Sequence, residues 1–125
     1  VTIPNTNLFG VSFSIGNGST VIDLGEYRYT EVPFNCIIER VVLMSPDIGN
    51  VVIDIRKTTY ALAPPTSADS IVGSAPPTLT NSQKYFDVTL TGWNRILNKG
   101  DILSVSVESV TGINSLLVSI TGRRR

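Results

Sequence analysis

Histidine is absent from this sequence, cysteine occurs once, and charged residues make up only 16% of it. Each shortage removes a class of function. Without an imidazole there is no Ser-His or Cys-His nucleophile pair, no side chain that ordinarily titrates near neutrality, and no usual zinc site. The lone Cys36 cannot close an intrachain disulfide, so the sequence carries no sign of an oxidising compartment. No apolar run approaches the roughly 18–20 residues that span a bilayer, which argues against membrane insertion by a helix. The opening residues do not have the charged, apolar, small-residue order of a signal peptide, and Val1 reads as either a processed start or a boundary within a longer chain.

The charge that is present is balanced, with ten Lys and Arg against ten Asp and Glu. Three of the basic residues are the terminal Arg123, Arg124 and Arg125, so the remainder carries seven basic groups against ten acidic ones. A mildly acidic body without a basic stripe is a poor nucleic-acid partner, because phosphate neutralisation needs several cations on one face. Residues 123–125 read as a short basic tail whose ordinary state is solvated, and residues 1–7 as a polar N-terminal arm. A surface poor in charge and rich in Ser, Thr and Asn suits a protein that packs against others.

What is abundant is two-residue alternation. The longest β-branched run is Ile37 to Lys57, in which Val51, Ile53 and Ile55 share one face and Val52, Asp54 and Arg56 the other. Its interior Ser-Pro-Asp-Ile-Gly-Asn has turn chemistry, which predicts a central hairpin of two antiparallel neighbours. Val41 to Met44 is apolar on both faces, as expected of a strand covered on both sides or touching another chain. Further strands are predicted at Leu8–Ile15, Thr20–Leu24, Glu26–Val32, Ser70–Val72, Tyr85–Leu90, Ile102–Glu108 and Ile113–Ile120, with an irregular helical turn at Arg95–Leu97. Ala61 to Ser82, with its two Ala-Pro-Pro-Thr repeats, reads as a long loop covering an open edge. The chain is expected to be one all-β domain over residues 8–122, an antiparallel β-sandwich of seven to eight strands and jelly-roll-like order.

Paired carboxylates are the only catalytic route left open without histidine, since a glycosidase needs two acids facing across a cleft. The acids here are scattered beside turns or point outward from strands, where turn bonding and solvation are their ordinary roles, so no catalytic residue is assigned. No D-x-D-x-D-G loop supports a calcium site, and neither a metal nor a cofactor is expected. Exposed aromatic rings are the remaining candidates for ligand binding. Tyr27 and Tyr29 share a strand face and Trp93 sits in a turn, where each would stack on a sugar, or instead serve as subunit contact and corner plug.

Five pieces of sequence, in order, resemble a β-sandwich domain recurrent in virion proteins of tailed bacteriophages. They are Val32-Pro33-Phe34, Gly49 to Lys57, Asp69 to Ser74 running into Ala75 to Leu79, Leu90-Thr91-Gly92-Trp93, and Gly100-Asp101-Ile102-Leu103. The resemblance spans about Gly25 to Ile120. It implies a non-enzymatic role in a tail fibre or a capsid decoration protein located in the virion after assembly in the host cytoplasm. The implied partners are further copies of the chain in a homotrimer and other virion proteins, with host-surface glycan adhesion as the alternative function.

Overall fold

The protein is described by a computed structural model covering residues 7–125. The expected arm falls outside the described residues except for Asn7, whose carbonyl accepts the Arg124 amide at 2.6 Å. Among the described residues seven strands form: β1 (Leu8–Gly16), β2 (Tyr27–Glu31), β3 (Cys36–Thr58), β4 (Thr78–Asp87), β5 (Ile96–Leu97), β6 (Ile102–Thr111) and β7 (Ser115–Arg124). Every pairing is antiparallel. The fold is all-β and sandwich-like, a single sheet in the order β1-β7-β3-β6-β2 with β4 and β5 also paired to β3. The sheet curls on itself into a half-barrel around one core.

The hairpin expected within Ile37–Lys57 does not form; β3 is one strand of 23 residues. The turn-like residues supply an irregularity instead. The ladder to β4 shifts register between Met44 and Gly49 and then resumes, and Pro46, which has no amide to donate, sits inside the shift. Val41, Leu43, Ser45, Gly49, Val51, Ile53 and Ile55 are all buried, so one face stays inward through the bend. Ser45 Oγ accepts the Asp47 amide at 3.0 Å, and the Asp47 carboxylate accepts the Asn114 amide at 2.8 Å. That second bond ties the bend in β3 to the corner between β6 and β7.

The corner matters because β6 and β7 lie end to end along β3. Asn50 pairs with Thr111 in β6 and Met44 with Leu117 in β7, so β3 carries the sheet from one half to the other. The first half holds β1, β7 and the start of β3; the second holds the end of β3, β6 and β2. Both halves point aliphatic side chains into the same core, among them Leu43, Val118 and Ile120 from the first and Ile53, Ile55, Leu103 and Val105 from the second. Full burial of each such side chain stabilises by about 1.5–3 kcal/mol before entropy is counted.

Other expectations shift for local reasons. Thr20–Leu24 is a loop rather than a strand, because the Asn17 side chain accepts the Ser19 and Thr20 amides at 2.8 and 3.0 Å; only Ile22 reaches the core. Arg95–Leu97 is not helical: Ile96 and Leu97 pair with Ile37 and Cys36 as β5. The strand expected from Tyr85 begins at Thr78, its polar first half broken at Asn81, whose φ is 50°. Phe86 and Val88 point to solvent. Ser70–Val72 reduces to a single bridge from Ser70 to Arg56. The loop does cover the open edge of β3, with the Ile71 amide on Ile55 O at 2.8 Å and the Ile53 amide on Pro77 O at 3.0 Å.

The terminal arginines are exposed, as expected of a basic tail, but they are also tied to the body. β7 continues through Arg124, Arg123 Nε pairs with Glu39 at 3.1 Å, and Arg124 stacks over Phe34 at 4.2 Å. Arg125 donates to Leu97 O, Asn98 Oδ1 and Cys36 O at 2.9, 2.7 and 3.1 Å. Burial pushes the Cys36 thiol up from its usual range, the Arg125 charge opposing and Asp101 adding to it. Burial and Asp87 likewise push the Tyr85 phenol up. The folded chain therefore holds these protons where the unfolded chain has released them, so stability present below the ordinary thiol and phenol pKa values falls as pH rises through about 8.5–10 and beyond. Urea unfolding at pH 7.5 and pH 10.5 is expected to show a lower midpoint at the higher pH, and Cys36 is expected to resist alkylation until the chain unfolds.

Candidate functional site

The outer face of the second half carries a groove whose shape follows from the register. Tyr27 pairs with Ser106 and Tyr29 with Ser104; across β6, Ser106 pairs with Asp54 and Ser104 with Arg56. Small residues on the middle strand between large ones on its neighbours leave a trough. Its walls stand two strand spacings apart, about 9–10 Å. The cavity has a volume of about 550 Å³, inside the range that small-ligand sites occupy.

One wall is aromatic. Tyr27 and Tyr29 are 54% and 48% exposed, with ring centroids 4.9 Å apart and planes tilted by 38°. The other wall is an ion network. Arg56 donates through Nε to Asp54 and through Nη2 to Glu108, each at 2.8 Å, and Ser70 Oγ donates to the far oxygen of Asp54 at 2.5 Å. The two carboxylates bond different nitrogens of one guanidinium, so they do not face each other across open space as a glycosidase pair does. Among the described residues no group of three His, Cys, Asp or Glu gathers as a metal centre would require.

The floor is polar. Ser104 and Ser106 are 2% and 5% exposed, point away from the inward Leu103, Val105 and Val107, and line the groove. Neither hydroxyl bonds another described residue, and among the described residues no buried side-chain nitrogen or oxygen is sealed off without a partner, so both hydroxyls open onto the groove.

Trp93, the third aromatic singled out in the sequence, does not join this site. It is 9% exposed, belongs to the core, and donates its indole N–H to Ala75 O at 2.9 Å. Its place is that of a corner plug, which ties the proline-rich loop to the body. Ser104, Ser106, Arg56 and Glu108 were not visible as site residues in the sequence. Only the register that aligns β2, β6 and β3 brings them beside the tyrosines.

A second outer face lies on the first half. Val42 pairs with Phe86 and Ser119, and Met44 with Lys84 and Leu117, so Phe86, Val42, Met44 and Leu117 occupy adjoining positions across β4, β3 and β7. Phe86 is 61% and Met44 47% exposed; Ile48 and Val88 are exposed nearby. Arg40 lies over the Phe86 ring at 5.1 Å, giving the patch a charged rim. Comparison with protein-family models and with characterised proteins finds no match for this chain.

Proposed function

We propose that this chain is a non-enzymatic structural module of a virion, part of a tail fibre or a capsid decoration, that works through protein-protein contacts as a homotrimer. The observation that carries this reading is the apolar outer face of Phe86, Val42, Met44 and Leu117. Monomeric proteins seldom expose contiguous apolar patches larger than a few hundred Å², and rimmed ones of that size mark contact surfaces. A sheet face of this kind suits a second copy of the chain, because Val42 and Met44 on the middle strand are uncharged while the cations Arg40 and Lys84 flank them, the apolar centre and polar rim that subunit contacts favour. The motif order from Val32 to Leu103 adds the virion context.

Light scattering across a concentration series tests it. The wild-type chain is expected to run at three times its monomer mass, and Met44→Asp with Phe86→Asp to run as a monomer with an unchanged circular dichroism spectrum. A wild-type monomer at high concentration contradicts the reading. A second reading, adhesion to host-surface glycan, is favoured by the Tyr27 and Tyr29 groove on the opposite half.

A further inference from the structure

We infer that the groove binds an uncharged oligosaccharide, held between the Tyr27 and Tyr29 rings and the Ser104, Ser106 and Glu108 oxygens. The inference rests on the adhesion reading and specifies its ligand class. Two independent features point to a ligand with many hydroxyls. The first is the aromatic wall, whose exposed rings offer apolar surface to the C–H faces of a sugar ring. The second is the floor, where Ser104 and Ser106, residues more than nine-tenths buried, open onto the groove with hydroxyls that bond no other described residue. A hydroxyl on a groove floor both donates and accepts, so it is matched by a ligand group that does the same, as a sugar hydroxyl does.

Charge selects among such ligands. Arg56 is the cation of the groove, and both Asp54 and Glu108 already bond it. With one cation against two carboxylates this wall is net negative, which opposes a sulfated, sialylated or uronate-containing chain, and a cationic chain would compete with Arg56 for the same carboxylates. A neutral ligand disturbs neither bond. Glu108 is the more exposed of the two carboxylates and keeps its second oxygen for a sugar hydroxyl. Length is set by the surface beyond Tyr29. A second hollow of about 520 Å³ shares Tyr29 with the first and continues past Pro64 and Ile102 to Tyr60. The two hollows together give an extended track, so several sugar units are accommodated rather than one.

The test is titration calorimetry of the full chain with neutral probes (malto-, cello- and N-acetylchito-oligosaccharides of four to six units) and charged ones (oligogalacturonate and sialyllactose). At least one neutral series is expected to bind, with affinity unchanged between 50 and 500 mM salt. Tyr27→Ala and Tyr29→Ala are each expected to weaken that binding at least tenfold while the melting temperature stays within a few degrees, since both side chains are exposed. Ser106→Val, which removes a floor hydroxyl, is expected to weaken it as well. Binding confined to the charged probes, or abolished by salt, would overturn the neutral-ligand inference and leave glycan adhesion standing. Neutral binding that survives both tyrosine substitutions would overturn the groove as its location. No binding of any probe at millimolar concentration would overturn the inference and the adhesion reading together.

Discussion

Gly122→Ala is expected to lower the stability of the fold by about 3 kcal/mol or more, the upper range for overpacking a filled site. Gly122 lies inside β7, where glycine ordinarily weakens a strand. Here it is required. A Cβ at this position would stand 1.9 Å from Ile37 O, 2.9 Å from Ile37 C and 3.1 Å from Glu39 N. All three are backbone atoms, so no side chain can rotate away. The crowding arises where β3 gains a residue against β7, between Ile38 and Arg40, which pushes the β3 backbone towards its neighbour. Thermal melts are expected to show a midpoint lower by on the order of 10 °C. Gly10→Ala is the control, since its nearest neighbour would be the Thr121 methyl at 3.6 Å. Equal melting of the two variants would show that the close approach of β3 and β7 is absent.

Ile53→Ala is the second large effect, expected to cost about 2–5 kcal/mol, the range for emptying a fully buried aliphatic site. Ile53 is fully buried, on the inward face of β3 just past the bend. Its neighbours include Val107 on β6, and its own amide holds Pro77 O of the long loop. Because β3 runs through both halves of the sheet, the cavity is expected to weaken the whole domain. Urea unfolding followed by Trp93 fluorescence and by far-ultraviolet circular dichroism is expected to shift together to one lower midpoint. Two separated transitions would indicate halves with independent cores.

Several parts of this architecture were legible in the sequence, for a physical reason in each case. Leu103, Val105 and Val107, and Leu116, Val118 and Ile120, alternate cleanly because each strand has one inward face, and both lie inward as expected. The all-β class followed from that period. The central error came from the same stretch that gave the clearest signal. Ser45 to Asn50 has the composition of a turn, yet its Pro, Asp and Gly serve a bend: Pro46 tolerates a missing ladder bond, Asp47 ties down Asn114, and Gly49 admits Thr111 O, which a Cβ would meet at 2.4 Å. Composition does not distinguish these uses, because the deciding contacts come from residues more than sixty positions away. The start of β4 was hidden for a different reason. Thr80 to Lys84 is polar on both faces along an edge, so no alternation marks it.

The sites were half legible. Tyr27 and Tyr29 could be placed on one face from spacing alone, but the serine floor and the Arg56 network needed strand order. Trp93 illustrates the converse, since a turn position in sequence becomes a core position once Ala75 offers its carbonyl. The doubly apolar run Val41 to Met44 predicts a strand covered on both sides or touching another chain. The structure buries Val41 and Leu43 and turns Val42 and Met44 outward.

Met44 is the chain's only methionine, and its thioether lies on the face assigned to subunit contact. Hydroxyl-radical footprinting of the protein, at concentrations above and below its association midpoint, therefore reads that face directly. Oxidation of Met44 and Phe86 is expected to drop severalfold in the assembled state while Tyr60 and Leu62, exposed on the other half, stay unchanged. Equal oxidation of Met44 at every concentration would contradict assembly through this face.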